Sequence, residues 1–289
     1  MNSAVKTINC RPPKGIDGRN ICVVTLDTGI CPCADLPLKR ILFFKDFVNG
    51  KEQPYDDNGH GTHVAGCLGG NGFLSGGLYR GVAPSCRIIS LKTLDEGGNG
   101  TAKWTFDAIK WILKNKDIYN IRIVNMSVGT GDKSIYKSLA DAAFALWQKG
   151  IIVCAASGNN DPSGITSPGI NRHIITAGSI DDGRLFRIKE NGRAYVKPDI
   201  FAPGKDIVSC MADNFSFETA KRRREKIVGT GYVKMSGSSM STPMVSGAAA
   251  LILQQKPFLT PNQIKKIIVS SATVINGKKI LNIENMFKY

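Results

Sequence analysis

A three-layer α/β fold, with a mostly parallel central sheet and helices on both faces, is predicted by two features of the sequence. Short apolar runs rich in β-branched residues alternate with segments of helical period along most of the chain. Glycine-rich or polar turns separate them, as tight strand–helix connections require. At 289 residues and 42% hydrophobic, the chain can bury one large core. Without an internal repeat or a low-complexity linker, it reads as a single domain over residues 1–289. Residues 1–20 form an N-terminal extension of that domain, and residues 212–232 an inserted basic loop.

Each element has its own signal. Residues 20–26 (NICVVTL) read as a buried strand ending at Asp27-Thr28-Gly29, and residues 38–58 read as loop. The small, apolar block that begins at His60 reads as a buried helix, with His63 one turn on. Residues 81–84 (GVAP) are a turn, and residues 86–93 a strand. Residues 101–116 carry Trp104, Ala108, Trp111 and Ile112 at helical spacing, which core packing explains without a ligand. Strands follow at 121–126, 151–156 and 173–178, and an amphipathic helix at 135–148 closes on Gly150. Residues 206–210 are a further apolar run, and residues 260–272 a surface helix with Thr260 as cap and Pro261 at its first position.

The stretch 235–253 (MSGSSMSTPMVSGAAALIL) opens on hydroxyl residues and becomes an Ala-rich apolar run. It reads as a turn feeding a core helix, with Pro243 near the first turn, where a missing N–H does least harm. Taken alone it fits a capped core helix as well as a reactive serine at a helix start, where backbone N–H groups favour developing negative charge.

Composition narrows the function. The net charge is +15, from 38 basic and 23 acidic residues, and the one dense basic run is 221–226 (KRRREK), preceded by Phe215 and Phe217. A solvated loop explains that run, and nothing else resembles a nucleic-acid module. No apolar run approaches the roughly 20 residues of a membrane span, and no signal-peptide segment opens the sequence. The eight cysteines lie mostly in apolar runs, so reduced thiols and a cytoplasmic location are expected. Cys31 and Cys33 lack a second pair to complete a zinc site, and His60 with His63 has only His173 as a third imidazole.

Polar residues at the ends of the apolar elements supply the chemistry. Asp27, His60, Asn159 and Ser239 each follow or open such an element, so a parallel sheet can converge them at one edge. A serine needs an imidazole to take its proton, and the imidazole needs a carboxylate to fix its tautomer. An amide near the nucleophile, with helix N-terminal N–H groups, holds an oxyanion.

Five ordered blocks carry a resemblance: Asp27-Thr28-Gly29, HGTHVAG from His60, NMSVG from Asn125, Gly158-Asn159, and GSSMSTPMVSG from Gly237. Together they resemble the successive motifs of subtilisin-like serine proteases, in that family's order of Asp, His and Ser, across residues 21–272. The resemblance implies Ser239 as nucleophile, His60 as general base and acid, and Asp27 as the orienting carboxylate. It implies Asn159 and the Ser239 N–H as oxyanion donors. Ser127, Val128 and Gly129 would pair with an extended peptide, and Ala155, Ala156, Ser157, Gly158 and Thr166 would line the specificity pocket. With neutral Asn160 and Thr166 there, an uncharged side chain is expected. His63 would be a packed helix residue, and Ser238 a structural hydroxyl.

There are departures. Met244 stands where the family usually has histidine, a packing change. Residues 69–80 (GGNGFLSGGLYR) cover a loop that often binds calcium in relatives, yet contain no carboxylate, so no cofactor is expected. No pro-region precedes residue 21, which points to an intracellular member. The expected function is a serine endopeptidase acting on peptide or protein substrates. The basic run is expected to recruit an acidic peptide, and neither membrane nor nucleic acid is an expected partner. The alternatives are a catalytically idle peptide-binding relative of the same fold and, from a different class, a nucleic-acid binder using the basic run.

Overall fold

The strand that the sequence places first is the centre of the molecule. β1 (Cys22–Asp27) is buried along its whole length, Asp27 included, as a strand covered on both faces must be. The structure, a computed structural model, describes residues 1–159, 164–181, 183–190, 192–213, 215 and 226–289. α1 (Asn2–Thr7) precedes β1. After it come β2 (Ile41–Asp46), α2 (His60–Gly69), β3 (Arg87–Lys92), α3 (Ala102–Asn115), β4 (Ile121–Met126), α4 (Lys133–Gln148), β5 (Ile152–Ala156) and β6 (Ile175–Ser179). The chain continues through the hairpin β7 (Phe186–Glu190) and β8 (Arg193–Lys197), then β9 (Ile200–Ala202), β10 (Ile207–Cys210), β11 (Lys226–Val228) and β12 (Tyr232–Met235). It ends with α5 (Ser238–Gln255), α6 (Pro261–Ser270), β13 (Thr273–Ile275), β14 (Lys278–Ile280) and α7 (Ile283–Met286).

The main sheet runs in the order β13–β14–β9–β6–β5–β4–β1–β3–β2, and every pairing except β13–β14 is parallel. From β1 the chain first builds outward to one side, through β2 and β3, and then crosses to the other side as β4. The order therefore reverses at β1, and the crevice beyond the carboxyl ends of β1 and β4 is where such sheets place ligands. Helices pack around the sheet, as expected for α/β. α5 is the most enclosed, against α2, β4, β5 and β6. Its small residues permit that approach: a Cβ on Gly247 would stand 2.7 Å from Val82.

Several expectations change. Residues 38–58 are not all loop, because ILFFKD forms edge strand β2. Among the described residues only β3 pairs with it, and its mixed burial with a charged Lys45 hides any alternation. Pro243 sits inside α5 rather than at its first turn. The 212–232 segment is not loop throughout, since β11 pairs antiparallel with β12, and β12 with β10. The caps behave as read. Thr260 and Gln263 form a capping box with Pro261 at the helix start, and Gly150 follows α4 at φ +82°. Trp111 stacks on Phe43 at 4.9 Å, a packing role. All eight cysteines are free thiols, five of them buried. Among the described residues no helix is long and apolar enough to cross a membrane.

Candidate active site

Asp56 builds the first half of the site. Its Oδ1 accepts the N–H groups of Asn58 (3.1 Å) and Gly59 (2.8 Å), and its Oδ2 accepts the Thr62 N–H (2.8 Å) and hydroxyl (2.7 Å). A carboxylate there meets the Gly59 and Thr62 N–H groups at the start of α2, while Asn58 Oδ1 accepts that of His60. Thr28 donates its hydroxyl to Asp56 at 2.8 Å and accepts the Gly61 N–H at 2.9 Å. The turn after β1 is thereby laced to the first turn of α2. No side chain fits between them, since a Cβ on Gly61 would stand 2.2 Å from the Gly29 carbonyl oxygen. Buried Lys92 closes the back, donating to Thr28 O (2.7 Å), Leu94 O (2.7 Å) and Asp57 Oδ1 (2.6 Å).

The result is that His60 Nδ1 lies 2.6 Å from Asp27 Oδ1, with the carboxylate fully buried and the imidazole a quarter exposed. An ionised carboxylate only accepts, so Nδ1 carries the proton and Nε2 is the basic nitrogen. Asp27 Oδ1 also accepts the Thr28 N–H at 2.8 Å. His63 lives otherwise. It is wholly buried, its Nε2 donates to Ile207 O at 2.9 Å, and burial pulls its pKa down to about 3. Its neutral ring packs, as expected.

The second half is the start of α5. From Ser238 to residue 253 every residue is buried except Ser239. Gly237, at φ +142°, precedes the helix, and a Cβ there would stand 3.0 Å from Asn159 Nδ2. Asn159 Oδ1 accepts the Ser238 N–H at 2.9 Å and lies 3.0 Å from the Ser238 hydroxyl. Those donors fix which end of the amide is oxygen, and the Nδ2 end is left for other partners. The Ser239 N–H, in the first turn, has no i−4 carbonyl to meet. Pro243 has no N–H to give to the Ser239 carbonyl, and Ser127 Oγ donates there instead, at 2.9 Å. Asn125 donates to that Ser127 Oγ at 3.0 Å and accepts from Ser246 at 2.9 Å, so β4 and α5 share one polar seam. At rest the Ser239 hydroxyl donates to Ser127 O at 3.1 Å.

His60, Ser239 and Asn159 line a single cleft of about 640 Å³. Ser127, Val128, Gly129, Ala156, Gly158 and Thr166 line it too. Ala155 and Ser157 do not. Ala155 is wholly buried in β5, and Ser157 is buried with its backbone spent on Ala177 O and the Thr166 N–H. The far wall was not legible beforehand: Leu94, residues 97–102, Phe106, Ile135 and Leu139. Phe106, Ile135 and Leu139 sit on helices whose apolar faces read as core. Asp56 and Lys92 were missed as well. The available signals were a carboxylate shortly before a helix start and a lysine inside an apolar strand. Met244 is fully buried, consistent with packing.

Two side chains around the 69–80 loop have engaged oxygens. Asn71 Oδ1 accepts the Phe73 N–H, and nearby Asp35 accepts the Leu74 N–H and the Tyr232 hydroxyl. Among the described residues no cluster of His, Cys, Asp or Glu could hold a metal ion. Asn160 and residues 221–225 of the basic run lie outside the described residues.

A buried carboxylate on a quarter-exposed imidazole thus shares one cleft, at the switch point of a parallel sheet, with a half-buried serine at a helix start, the set of groups that a serine hydrolase uses. The chain belongs to the subtilase family: residues 18–286 match the Peptidase_S8 (subtilase family) model. It is 39% identical over 274 residues to serine protease AprX of Bacillus subtilis (strain 168), covering 88% of this chain and 61% of AprX. It is 31% identical to subtilisin DY of Bacillus licheniformis, covering 94% of this chain and 92% of that protein. The crystal structure of a cold-adapted subtilisin-like serine proteinase superposes with a TM-score of 0.72 at 29% identity, covering 93% of this chain and 90% of its own.

Proposed function

We propose that this chain is a serine endopeptidase, with Ser239 as nucleophile, His60 as general base and then acid, and Asp27 as the orienting carboxylate. The observation that carries the reading is the 2.6 Å Asp27–His60 contact at a cleft that also holds Ser239 and Asn159. Ser239 Oγ attacks the scissile carbonyl carbon as its proton passes to His60 Nε2. The tetrahedral oxyanion is held by the Ser239 N–H and Asn159 Nδ2. His60 then protonates the leaving amine, an acyl-enzyme remains on Ser239, and water activated by the same imidazole releases the acid. An extended peptide would pair with the backbone of Ser127, Val128 and Gly129.

Hydrolysis of a denatured protein by the purified chain, followed by chromatography of the fragments, tests the proposal. Loss of cleavage in both Ser239→Ala and His60→Ala is the expected result. Equal cleavage by wild type and Ser239→Ala would refute it. With Asp27, His60, Asn159 and Ser239 all in place, the catalytically idle reading has little support.

We further infer that no calcium sits at the 69–80 loop, because the nearby side-chain oxygens serve the loop's own N–H groups. The basic run 221–226 is proposed to recruit acidic peptide segments rather than nucleic acid or membrane. Charge reversal there should slow turnover of acidic substrates at low salt. The eight free thiols support a reducing, cytoplasmic setting, which fractionation of the source cells would test.

A further inference from the structure

The segment that follows Asp27 carries two cysteines, and it brings them against the small sheet formed by β10, β12 and β11. On one side the segment is tied to α2, where the Cys31 N–H donates to Thr62 Oγ1 at 2.9 Å. On the other side, alternate side chains meet the small sheet and the loop leaving it. The Cys31 thiol contacts Asp213, and the Cys33 thiol contacts that of Cys210. Asp35 Oδ2 accepts the Tyr232 hydroxyl at 2.7 Å. That last bond fixes the direction of the rest. Cys210 and Tyr232 are directly opposed in the antiparallel β10–β12 ladder, so their side chains leave the same face. The face that reaches Asp35 is therefore the face that presents Cys210 to Cys33.

Both thiols are held in place. Cys33 exchanges backbone hydrogen bonds with Leu36, at 3.2 and 3.0 Å, which pins its turn. Cys210 Sγ rests on bare Cα positions of α2 and its end. A Cβ on Gly66 would stand 2.7 Å from that sulfur, and one on Gly70 3.4 Å. The two differ in access and in acidity. Cys33 is half-buried, whereas Cys210 is sealed at 1% exposure. The Cys210 thiol donates to the Cys33 sulfur, which favours the Cys33 thiolate and pushes the Cys210 thiol up. Burial pushes the other six thiols up. An accessible sulfur that ionises readily, touching a sealed one that does not, is the arrangement of an attacking and a resolving cysteine.

We infer that Cys33 and Cys210 form a reversible disulfide when the chain meets a small-molecule disulfide, a cross-link that stabilises the fold and leaves the active site intact. The Cys33 thiolate attacks one sulfur of the external disulfide. That S–S bond breaks, one half leaves as a thiolate, and the other stays on Cys33 as a mixed disulfide. The Cys210 sulfur then attacks Cys33 Sγ and expels the second half. Two protein thiols are oxidised and the external disulfide is reduced to two thiols, with the two cysteine protons passing to the leaving thiolates. The new bond joins segments far apart in the chain, the long-loop case in which a cross-link restricts the unfolded state most. Because the sulfurs already touch, closing it displaces neither Asp27 nor the start of α2.

The test is to treat the reduced chain with oxidised glutathione, block the remaining thiols with iodoacetamide in denaturant, and map the peptides by mass spectrometry without reduction. A linked Cys33–Cys210 peptide, released by dithiothreitol, is the expected product. In Ser239→Ala, chosen to prevent self-digestion, oxidation should raise the melting temperature by about 5 °C or more. Cys33→Ser should abolish both the linked peptide and the shift, while Cys31→Ser should keep them. Oxidised and reduced wild type should turn over a chromogenic peptide at the same rate. A lasting glutathione adduct on Cys33, a Cys31–Cys33 bridge, or all eight thiols still alkylated after oxidation would overturn the inference. So would a linked pair whose melting temperature does not move, or turnover that falls as the link forms.

Discussion

His60 and His63 stand one turn apart on the same helix, and they have opposite fates. The first meets a carboxylate at 2.6 Å and opens on a cleft, while the second is sealed in the core against a carbonyl and a thiol. Ser239 and Ser238 repeat the contrast at the start of α5. One faces the cleft, and its neighbour is buried and pins Asn159. Identical side chains three residues or one residue apart thus stand in different surroundings: a charged partner and an open cleft favour a reactive group, while desolvation and a backbone acceptor favour a structural one.

The contrast can be broken most sharply by activity. His60→Ala should lower kcat by about 10⁴-fold or more, while His63→Leu, measured at neutral pH below its melting temperature, should retain most of it. Comparable losses in the two would erase the distinction. Asn159→Ala should cost about 10²- to 10³-fold in kcat with little change in KM, which is the loss known for the oxyanion asparagine of this family. A change confined to KM would remove Asn159 from the oxyanion site. Ser238→Ala, which removes the hydroxyl contact to Asn159 and leaves the backbone N–H one, should cost about tenfold, near 1.4 kcal/mol. Ser238→Thr should restore the activity, because the hydroxyl stays.

The smallest effect is in stability. Burial first, against the opposing bond to Ile207 O, holds the His63 pKa near 3, below its ordinary 6.5. Between those values the unfolded chain binds a proton that the folded chain does not. The contribution of neutral His63 is therefore full above about pH 6.5 and lost as pH falls toward 3. Melting temperatures from pH 7 to 4 should fall less steeply in His63→Leu than in wild type, even if the variant starts lower. Parallel slopes would mean that His63 takes its proton while folded.

This division of labour explains what could be read from the residues alone. β1, β3, β4 and β5 are continuous apolar runs, and the polar residues at their ends mark the sheet edge, so the fold and the place of Asp27, His60, Asn159 and Ser239 were legible. Edge strand β2 was not, because one neighbour and mixed burial leave no clean period. Asp56 and Lys92 were not, because a carboxylate bound to five donors and a lysine with three acceptors look like surface charges until folding buries them. Pro243 inside a helix was misplaced for a related reason. Its compensation, the Ser127 hydroxyl on the Ser239 carbonyl, comes from 112 residues away.

The most direct measurement is the intact mass of the chain after exposure to a fluorophosphonate, with the adduct located by peptide mapping. A single adduct on Ser239 in wild type, absent in Ser239→Ala and suppressed in His60→Ala but not in His63→Leu, is the predicted result. An adduct on another residue, or labelling of Ser239 that does not depend on His60, would contradict the account.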